Sequence, residues 1–335
     1  MENTNSLKPA KWIRSAATAL FAMGLLVAQV AQAQMPARFY WKTLDGANAV
    51  PLIVNSLSGN TNPFDSSHQI DLNPNASIDA TMAMTGYAHT FSMYDRSAMA
   101  AIIFPMGRLS GDVTTTTGLA HKAAEGFGDP MLEFTLNLIG PRSQKNIPDV
   151  MRYEPGFSVD ILADLAIPVG EYDSKSPLNI GMNRWYGRVG MPVIWQLGPW
   201  VTGRRTTLEF LPSVWVYGDN NDPYNAKKLE TDPKFQLDAH LTRDFAFNMW
   251  GSLDFTMYKG GKSTIDGVSG EKLDIKAMGI TLGYTINDNT NLTFGYKTTV
   301  NDSGAGEMRM DGFQVSLVFG WHPMVEGMRR LKDGN

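Results

Sequence analysis

The stretch of sequence that decides the fold is "SVDILADLAIP", residues 158–168, which places two aspartates four positions apart in an apolar run. On a helix, Asp160 and Asp164 would share a face with their Cβ atoms ~5–6 Å apart, close enough to divide acid and base roles. On a strand they would stand roughly 13 Å apart at ~3.3 Å per residue. Every second residue from Phe157 to Val169 is apolar. This alternation predicts a strand and argues against a catalytic dyad.

The same period of two recurs along most of the chain. It is clearest in "GFQVSLVFGW", residues 312–321, where five large apolar residues oppose glycine and polar ones. The strands predicted in this way are 78–91, 97–106, 131–139, 157–169, 185–197, 206–217, 234–242, 246–258, 273–286, 290–300 and 308–321.

The connections between these strands alternate between short turns and long polar loops. Only residues 140–156 break the rule, because they are long where a short turn is due. Short turns on one side and long loops on the other are typical of bacterial outer-membrane barrels. Residues 48–59 can supply a twelfth strand that starts on the short-turn side. The sequence therefore predicts an all-β protein, an antiparallel transmembrane β-barrel of about twelve strands with both termini in the periplasm.

A soluble antiparallel sheet also alternates, so a periplasmic or secreted β-sandwich is the alternative fold. Aromatic residues near strand ends favour the membrane barrel, where they form interfacial girdles. These residues are Trp185, Trp195, Tyr217, Tyr258, Tyr284 and Trp321. The chain also contains no cysteine, so an exported protein of this sequence must fold without disulfides.

The first 33 residues have the pattern of a secretory signal peptide. A basic region with Lys8, Lys11 and Arg14 precedes an apolar stretch and a small-residue site at 31–33. We expect cleavage near Ala33 and export to the outer membrane of a Gram-negative bacterium. The expected division is a signal peptide at 1–33, an N-terminal segment at 34–76 that contributes the first strand or a plug, a barrel at 77–321 and a C-terminal tail at 322–335.

The charge balance excludes some partners. The whole chain carries a formal net charge of −4, and removal of the signal peptide takes away three bases and one acid. A chain this acidic, without a basic run, is not expected to bind nucleic acid. The expected partners are outer-membrane lipid and a small-molecule solute, and no cofactor is expected.

The sequence does not carry the common catalytic and metal-binding motifs. The sequence contains no Gly-x-Ser-x-Gly elbow and no His-Glu-x-x-His, and "GFGD" is followed by a predicted strand where a dinucleotide site needs a helix. Five scattered histidines do not form a local metal site. The protein is not expected to be an enzyme, although a Ser–His pair from two different strands stays open.

The predicted inner faces of the strands carry many charged residues. Burying so many acids in an apolar core would be prohibitive without partners, whereas a wet lumen accepts them. The candidate lumen-lining residues are Asp79, Glu133, Asp160, Asp164, Arg188, Glu209, Asp238, His240, Asp254 and Lys297. Two interpretations stay open: a network of salt bridges that closes a narrow barrel, or a polar pathway whose acidic walls favour cations or neutral solutes.

Three short motifs resemble an outer-membrane transporter family labelled meta-pathway of phenol degradation. The first is Gly-x-Gly-Asp before a strand, the second Pro-x-Gly-x-Tyr at a strand exit, and the third Asn-x-Gly-x-Asn-Arg-Trp in a loop. The matching residues are Gly126, Gly128, Asp129, Pro168, Gly170, Tyr172, Asn179, Gly181, Asn183, Arg184 and Trp185. The resemblance covers residues 79–321 and implies a barrel associated with aromatic catabolism. It implies no catalytic residue.

The functional prediction is an outer-membrane channel for passive passage of small solutes, aromatic or hydrophobic ones among them. The alternative is a closed structural or adhesive barrel that transports nothing. A lumen with a continuous water path would favour the first, and a lumen filled by residues 48–62 would favour the second.

Overall fold

The computed structural model describes residues 35–65, 77–115, 118–302 and 309–333. The predicted signal peptide therefore lies outside the described residues. Within those ranges the strands are β1 Asn48–Gly59, β2 Ile78–Met93, β3 Arg96–Thr115, β4 Gly118–Phe127, β5 Met131–Ile139, β6 Phe157–Ala166, β7 Tyr186–Gly190, β8 Val193–Gln196, β9 Thr206–Tyr217, β10 Leu229–Thr231, β11 Lys234–Ala246, β12 Met249–Gly260, β13 Ser263–Ile265, β14 Val268–Ser269, β15 Leu273–Asn287, β16 Thr290–Asp302 and β17 Met310–Trp321. The helices are α1 Ile147–Arg152 and α2 Pro323–Asp333. None of the described helices is long and apolar enough to span a membrane.

Most of the strands form one closed antiparallel barrel, whereas β10, β13 and β14 form a separate three-stranded sheet. The hydrogen-bonded order is β11-β12-β15-β16-β17-β1-β2-β3-β5-β6-β7-β9, and β9 pairs with β11 to close the ring. Strand β8 continues the line of β7 and also lies between β6 and β9. Counting β7 and β8 as one wall strand gives twelve strands, and the fold predicted from the sequence is confirmed.

The alternation of the sequence becomes an alternation of faces. In β12 the side chain of Leu253 is 63% exposed on the outside, whereas Asp254 is 6% exposed on the inside. In β6 both Asp160 and Asp164 are buried while Ile161 and Leu165 are exposed. Residues two apart on a strand share a face, so one register fixes which side chains meet lipid and which meet the lumen.

Strand β1 is a full member of the wall. It pairs with β17 from Asn48 opposite Trp321 to Gly59 opposite Met310, and with β2 on its other edge. Both ends of the barrel sequence therefore lie on the side of the short turns. The tight turn between β2 and β3 is typical of this side, since Tyr94 and Asp95 both have positive φ, 53° and 61°, as a two-residue hairpin requires.

Two details differ from the strands predicted from the sequence. Residues 108–130 were expected to be a loop, but β3 continues to Thr115 and pairs with β4 as a hairpin above the barrel wall. The strand predicted at 185–197 is broken between β7 and β8 at Met191 and Pro192. Proline has no N–H to give to the ladder, and its carbonyl accepts the N–H of Asp160 at 2.8 Å.

Candidate functional site: the barrel lumen

A segment that precedes the first strand, residues 35–47, runs inside the barrel from the periplasmic end; we call it the plug. Its main contact is Arg38, which has a positive φ of 67°. The guanidinium donates to Asp244 Oδ1 at 2.7 Å and to Thr242 Oγ1 at 3.1 Å, and the backbone N–H of Arg38 donates to Glu209 Oε2 at 2.9 Å. The plug thus uses up carboxylates of the inner wall.

Cationic and aromatic groups alternate around this contact. Arg38 lies 4.2 Å from the ring of Trp41 and 4.4 Å from the ring of Trp250. Arg205 lies 5.1 Å from Trp41 and 5.5 Å from Trp200, and it donates to Asp244 Oδ2 at 2.8 Å. Such contacts strengthen where water is excluded, so the stack stabilises the plug at the periplasmic mouth.

The plug is also fixed above and below Arg38. Lys42 Nζ pairs with the buried carboxylate of Asp160. At the base, the backbone N–H of Asp45 donates to the carbonyl of Gln144 at 2.8 Å, and Leu44 forms an isolated parallel bridge with Gln144. The periplasmic loop that contains Gln144 is the one at 140–156 that was too long for a simple turn. Its length provides the seat for the plug.

The inner wall brings nine of the predicted lumen residues into buried networks. Glu133, Asp164 and Arg188 form one row across β5, β6 and β7, with Arg188 Nε 2.6 Å from Asp164 Oδ2. His240 Nδ1 lies 2.7 Å from Asp254 Oδ1, and Thr281 donates to Asp254 Oδ2 at 2.6 Å. The buried set is Glu133, Asp160, Asp164, Arg188, Glu209, Asp238, His240, Asp254 and Lys297.

Polar neighbours complete this network around Asp238. Gln236 donates to its Oδ2 at 2.6 Å, and Thr256 donates to its Oδ1 at 2.7 Å. Lys297 Nζ in turn donates to Thr256 Oγ1 at 2.6 Å. These wall residues therefore already have partners within the barrel.

The prediction for Asp79 is wrong. Asp79 is exposed, and its neighbours Ile78 and Ala80 are 1% and 5% exposed on the inner face. At this level the inner face packs against Leu178 and Ile180 of an inward-folded loop. The outer face there carries the exposed polar residues Asp79 and Thr81. The usual polarity of the two faces is therefore inverted at the extracellular end of β2.

The inward-folded loop, residues 167–185, is held by three glycines in close backbone contact. A Cβ on Gly170 would lie 2.7 Å from the carbonyl carbon of Gly128, and a Cβ on Gly181 would lie 2.7 Å from that of Gly170. Asp129 locks the stack, since its carboxylate accepts the N–H of Gly170 at 2.9 Å and of Met182 at 2.8 Å. We call this contact the glycine clamp.

The remaining motif residues lie around the clamp. Arg184 donates to Thr231 Oγ1 at 2.8 Å and lies over the ring of Tyr217. Asn183, with φ of 52°, donates to Asn220 Oδ1, and Asn220 donates to the hydroxyl of Tyr172. Several others shape the turns: Gly126 has a φ of 138°, Asn179 accepts the N–H of Asp173, Pro168 follows β6, and Trp185 is exposed on the outside.

Between the plug and the clamp lies a cavity of about 180 Å³, which we call the upper cavity. Met35 of the plug and the inner-wall residues Glu133 and Arg188 belong to its lining. Its other principal lining residues are Phe64, Asp65, Met82, Met84, Ile103, Asp129, Met131, Ile180, Met182, Tyr186, Trp215, Tyr217, Lys234, Gln236 and Tyr258.

The sequence predicted a first strand or a plug within residues 34–76 but did not locate the plug at residues 35–47, and it did not identify most of the upper cavity. The plug shows no periodic pattern, although "RFYWK", residues 38–42, concentrates aromatic and basic residues directly after the predicted cleavage site. A cluster of basic and aromatic residues can bind a wall that carries carboxylates. This cluster is therefore the sequence feature that could have indicated the plug. Tyr217 and Tyr258, which were expected in the aromatic girdle of the outer surface, line this cavity instead. Lys234 lies beside them at the first position of β11.

The architecture defines a class of protein before any comparison is made. A closed antiparallel barrel with an apolar outside and a polar inside is the architecture of outer-membrane β-barrels. The chain belongs to the family described as "Putative MetA-pathway of phenol degradation", whose model matches residues 54–317. The family membership predicted from the three motifs is confirmed. No curated protein matches the sequence.

One solved structure shows the same barrel fold, and a second is less similar. An outer membrane channel from Pseudomonas putida F1 superposes with a TM-score of 0.67 at 16% identity, covering 86% of this chain and 99% of the channel. The transport unit of the autotransporter AIDA-I from Escherichia coli has a TM-score of 0.46 at 8% identity, with 91% and 97% covered. The first of these supports the barrel fold of an outer-membrane channel.

Proposed function

We propose that this protein is an outer-membrane channel for the passive passage of small solutes, aromatic or hydrophobic ones among them. The observation that carries the proposal is the upper cavity inside a closed twelve-stranded barrel. Its wall combines methionine and isoleucine with tyrosine and tryptophan. Pockets of this composition suit small molecules with apolar bodies.

The proposal includes export and location. The signal-like residues 1–33, cleaved near Ala33, would deliver the chain to the outer membrane of a Gram-negative bacterium. Residues 77–321 and the strand at 48–59 form the wall, and the tail at 322–333 contains α2. Membrane lipid and a small solute are the proposed partners. No step of this function uses catalysis or a cofactor.

A closed structural or adhesive barrel is the second candidate, and the plug favours it. Residues 48–59 do not fill the lumen as that alternative supposed, because they form β1 of the wall. Residues 35–47 fill its periplasmic half instead. Passage of a solute through the axis would therefore require the plug to move.

Electrical recordings distinguish the two candidates. In planar bilayers the channel proposal predicts discrete conductance steps, and liposomes should swell with phenylalanine as the solute. Sealed bilayers at high protein load, both for the full chain and after deletion of residues 35–43, would favour the closed barrel. Heating should shift the gel mobility of the folded protein in either case, which verifies that the sample is a barrel.

A further inference from the structure

The upper cavity has two chemically different walls. One wall is made of thioether and aliphatic side chains, among them Met82, Met84 and Met131. The wall across the barrel, formed by β7, β9, β11 and β12, carries aromatic rings, hydroxyl groups and a lysine, among them Tyr258 and Lys234. A ligand that fits both walls has an apolar body and a polar head at one end.

The hydroxyl groups of the polar wall are available to a ligand. Within the described ranges, the hydroxyls of Tyr186, Tyr217 and Tyr258 form no hydrogen bond with the protein. Tyr258 is only 6% exposed, yet it lines the cavity. A hydroxyl that lines a cavity and makes no hydrogen bond with the protein can donate to a ligand that accepts hydrogen bonds.

Positive charge is concentrated on the same wall. Lys234 Nζ lies 5.2 Å from the ring centre of Tyr258, 5.9 Å from Tyr217 and 6.0 Å from Trp215. The guanidinium carbon of Arg188 lies 5.0 Å from the ring centre of Trp215. The ammonium group lines the cavity beside these rings, where an anion would add to the contacts that it already makes.

Two of the three carboxylates that line the cavity, those of Asp129 and Asp65, directly face donors of the protein. Asp129 accepts two backbone N–H groups of the glycine clamp. Glu133 lies 4.0 Å from Arg188, and Asp65 lies 3.5 Å from the guanidinium of Arg184. The carboxylates of Asp129 and Asp65 are therefore directed at residues of the protein, whereas Glu133 keeps one oxygen without a hydrogen-bond partner among the described residues. The three tyrosines line the same cavity.

We propose that the upper cavity is a binding site for small single-ring carboxylates, with the carboxylate against Lys234 and the tyrosine hydroxyls and the ring against the methionine wall. The inference deepens the proposed function, because it gives that function a solute class. The volume agrees with one ring, since an apolar cavity of ~150 Å³ holds a benzene-sized molecule.

The experiment compares three probes that differ only in the head group. Benzoate, benzyl alcohol and benzylamine are titrated into the full chain in detergent, and the fluorescence of the tryptophans or ligand-observed NMR reports binding. We expect benzoate to bind about ten-fold or more tightly than benzyl alcohol, because a hydrogen bond to a charged group is stronger than a neutral one. Benzylamine should bind most weakly.

Variants locate the site. Lys234→Met keeps an apolar stem and removes the charge, so it should abolish the preference for benzoate and leave benzyl alcohol unaffected. Tyr258→Phe should lower benzoate affinity by a smaller factor. The matched control is Lys259→Met, because Lys259 is exposed on the outer face beside Asp274. Gel mobility before and after heating shows that each variant is folded.

The inference fails if the three probes bind equally, if benzylamine binds best, if none binds, or if Lys234→Met retains the preference. Its failure is distinct from failure of the proposed function. Conductance without benzoate binding would support the channel proposal and contradict the proposed binding site. Benzoate binding by a barrel that does not conduct ions would support the binding site and contradict the channel proposal.

Discussion

The two halves of the lumen use the same kind of wall differently. In the periplasmic half, the inner carboxylates bind the plug, as Asp244 and Glu209 do with Arg38 and Asp160 does with Lys42. In the extracellular half, the wall residues surround a cavity roofed by the glycine clamp. Alternating strands thus specify a polar interior, whereas short segments outside the strands decide whether that interior is filled.

The largest expected effect comes from removing the filled half. Deletion of residues 35–43 takes away Arg38, Trp41 and Lys42 together, so single-channel conductance should rise several-fold. Arg38→Met should give part of that increase, because Asp244 would keep Arg205 but lose its plug partner. Unchanged conductance in both variants would show that the barrier to ions lies in the upper half.

The wall shared by both halves gives the next effect. Leu253 faces lipid, so Leu253→Arg should cost roughly 2–4 kcal/mol of barrel stability near the bilayer midplane. Urea unfolding in lipid measures this cost, with Leu253→Met as the control. Asp254→Asn should still fold, with a smaller loss than Leu253→Arg because Thr281 and Ser252 remain as donors. If Leu253→Arg did not lower the stability of the barrel, the inward and outward faces of β12 would have been assigned the wrong way round.

The glycine clamp tests the upper half alone. Gly170→Ala would place a Cβ 2.7 Å from backbone of Gly128, so overpacking should cost about 1–3 kcal/mol. It should also expose the loop at 167–185 to protease. Gly327→Ala in α2 is the matched control, since nothing lies within 4 Å of its Cβ position. Equal stability of the two variants would show that the close contact of Gly170 with Gly128 does not stabilise the protein.

The smallest expected effect is on pH. Burial raises the pKa of Asp45 at the base of the plug, partly opposed by Ser143 and Lys145. An acid whose pKa is raised on docking favours the docked state below its ordinary pKa, and that contribution is lost as pH rises through the raised value. Protection of the plug from protease should therefore weaken slightly from acidic to neutral pH. Asp45→Asn should remove this dependence.

Much of the wall could be predicted from the sequence because lipid on one side and polar contacts on the other impose a period of two. Residues 157–169 show this pattern without interruption. Asp79 was misassigned because the rule presumes lipid outside and water inside. At the extracellular end of β2 this polarity is reversed, because Leu178 packs against the inner face and Asp79 is exposed on the outer face.

The candidate site was harder to predict than the wall. The plug is irregular chain whose position depends on contacts such as Arg38 with Asp244, more than 200 residues away in sequence. The clamp depends on Gly128, Gly170 and Gly181 from separate segments. Motif resemblance identified these glycines, but their role in close backbone packing required the three-dimensional structure.

Thiol labelling tests most directly the claim that the plug closes the periplasmic half while the upper cavity stays accessible. The chain has no cysteine, so Met84→Cys can report the upper cavity and Ser252→Cys the inner wall near His240 and Asp254. In proteoliposomes, a small water-soluble thiol reagent should label Met84→Cys with or without the plug. Ser252→Cys should be labelled only after deletion of residues 35–43. If Ser252→Cys were labelled as strongly in the full chain as after deletion of residues 35–43, the claim that the plug closes the periplasmic half would be contradicted.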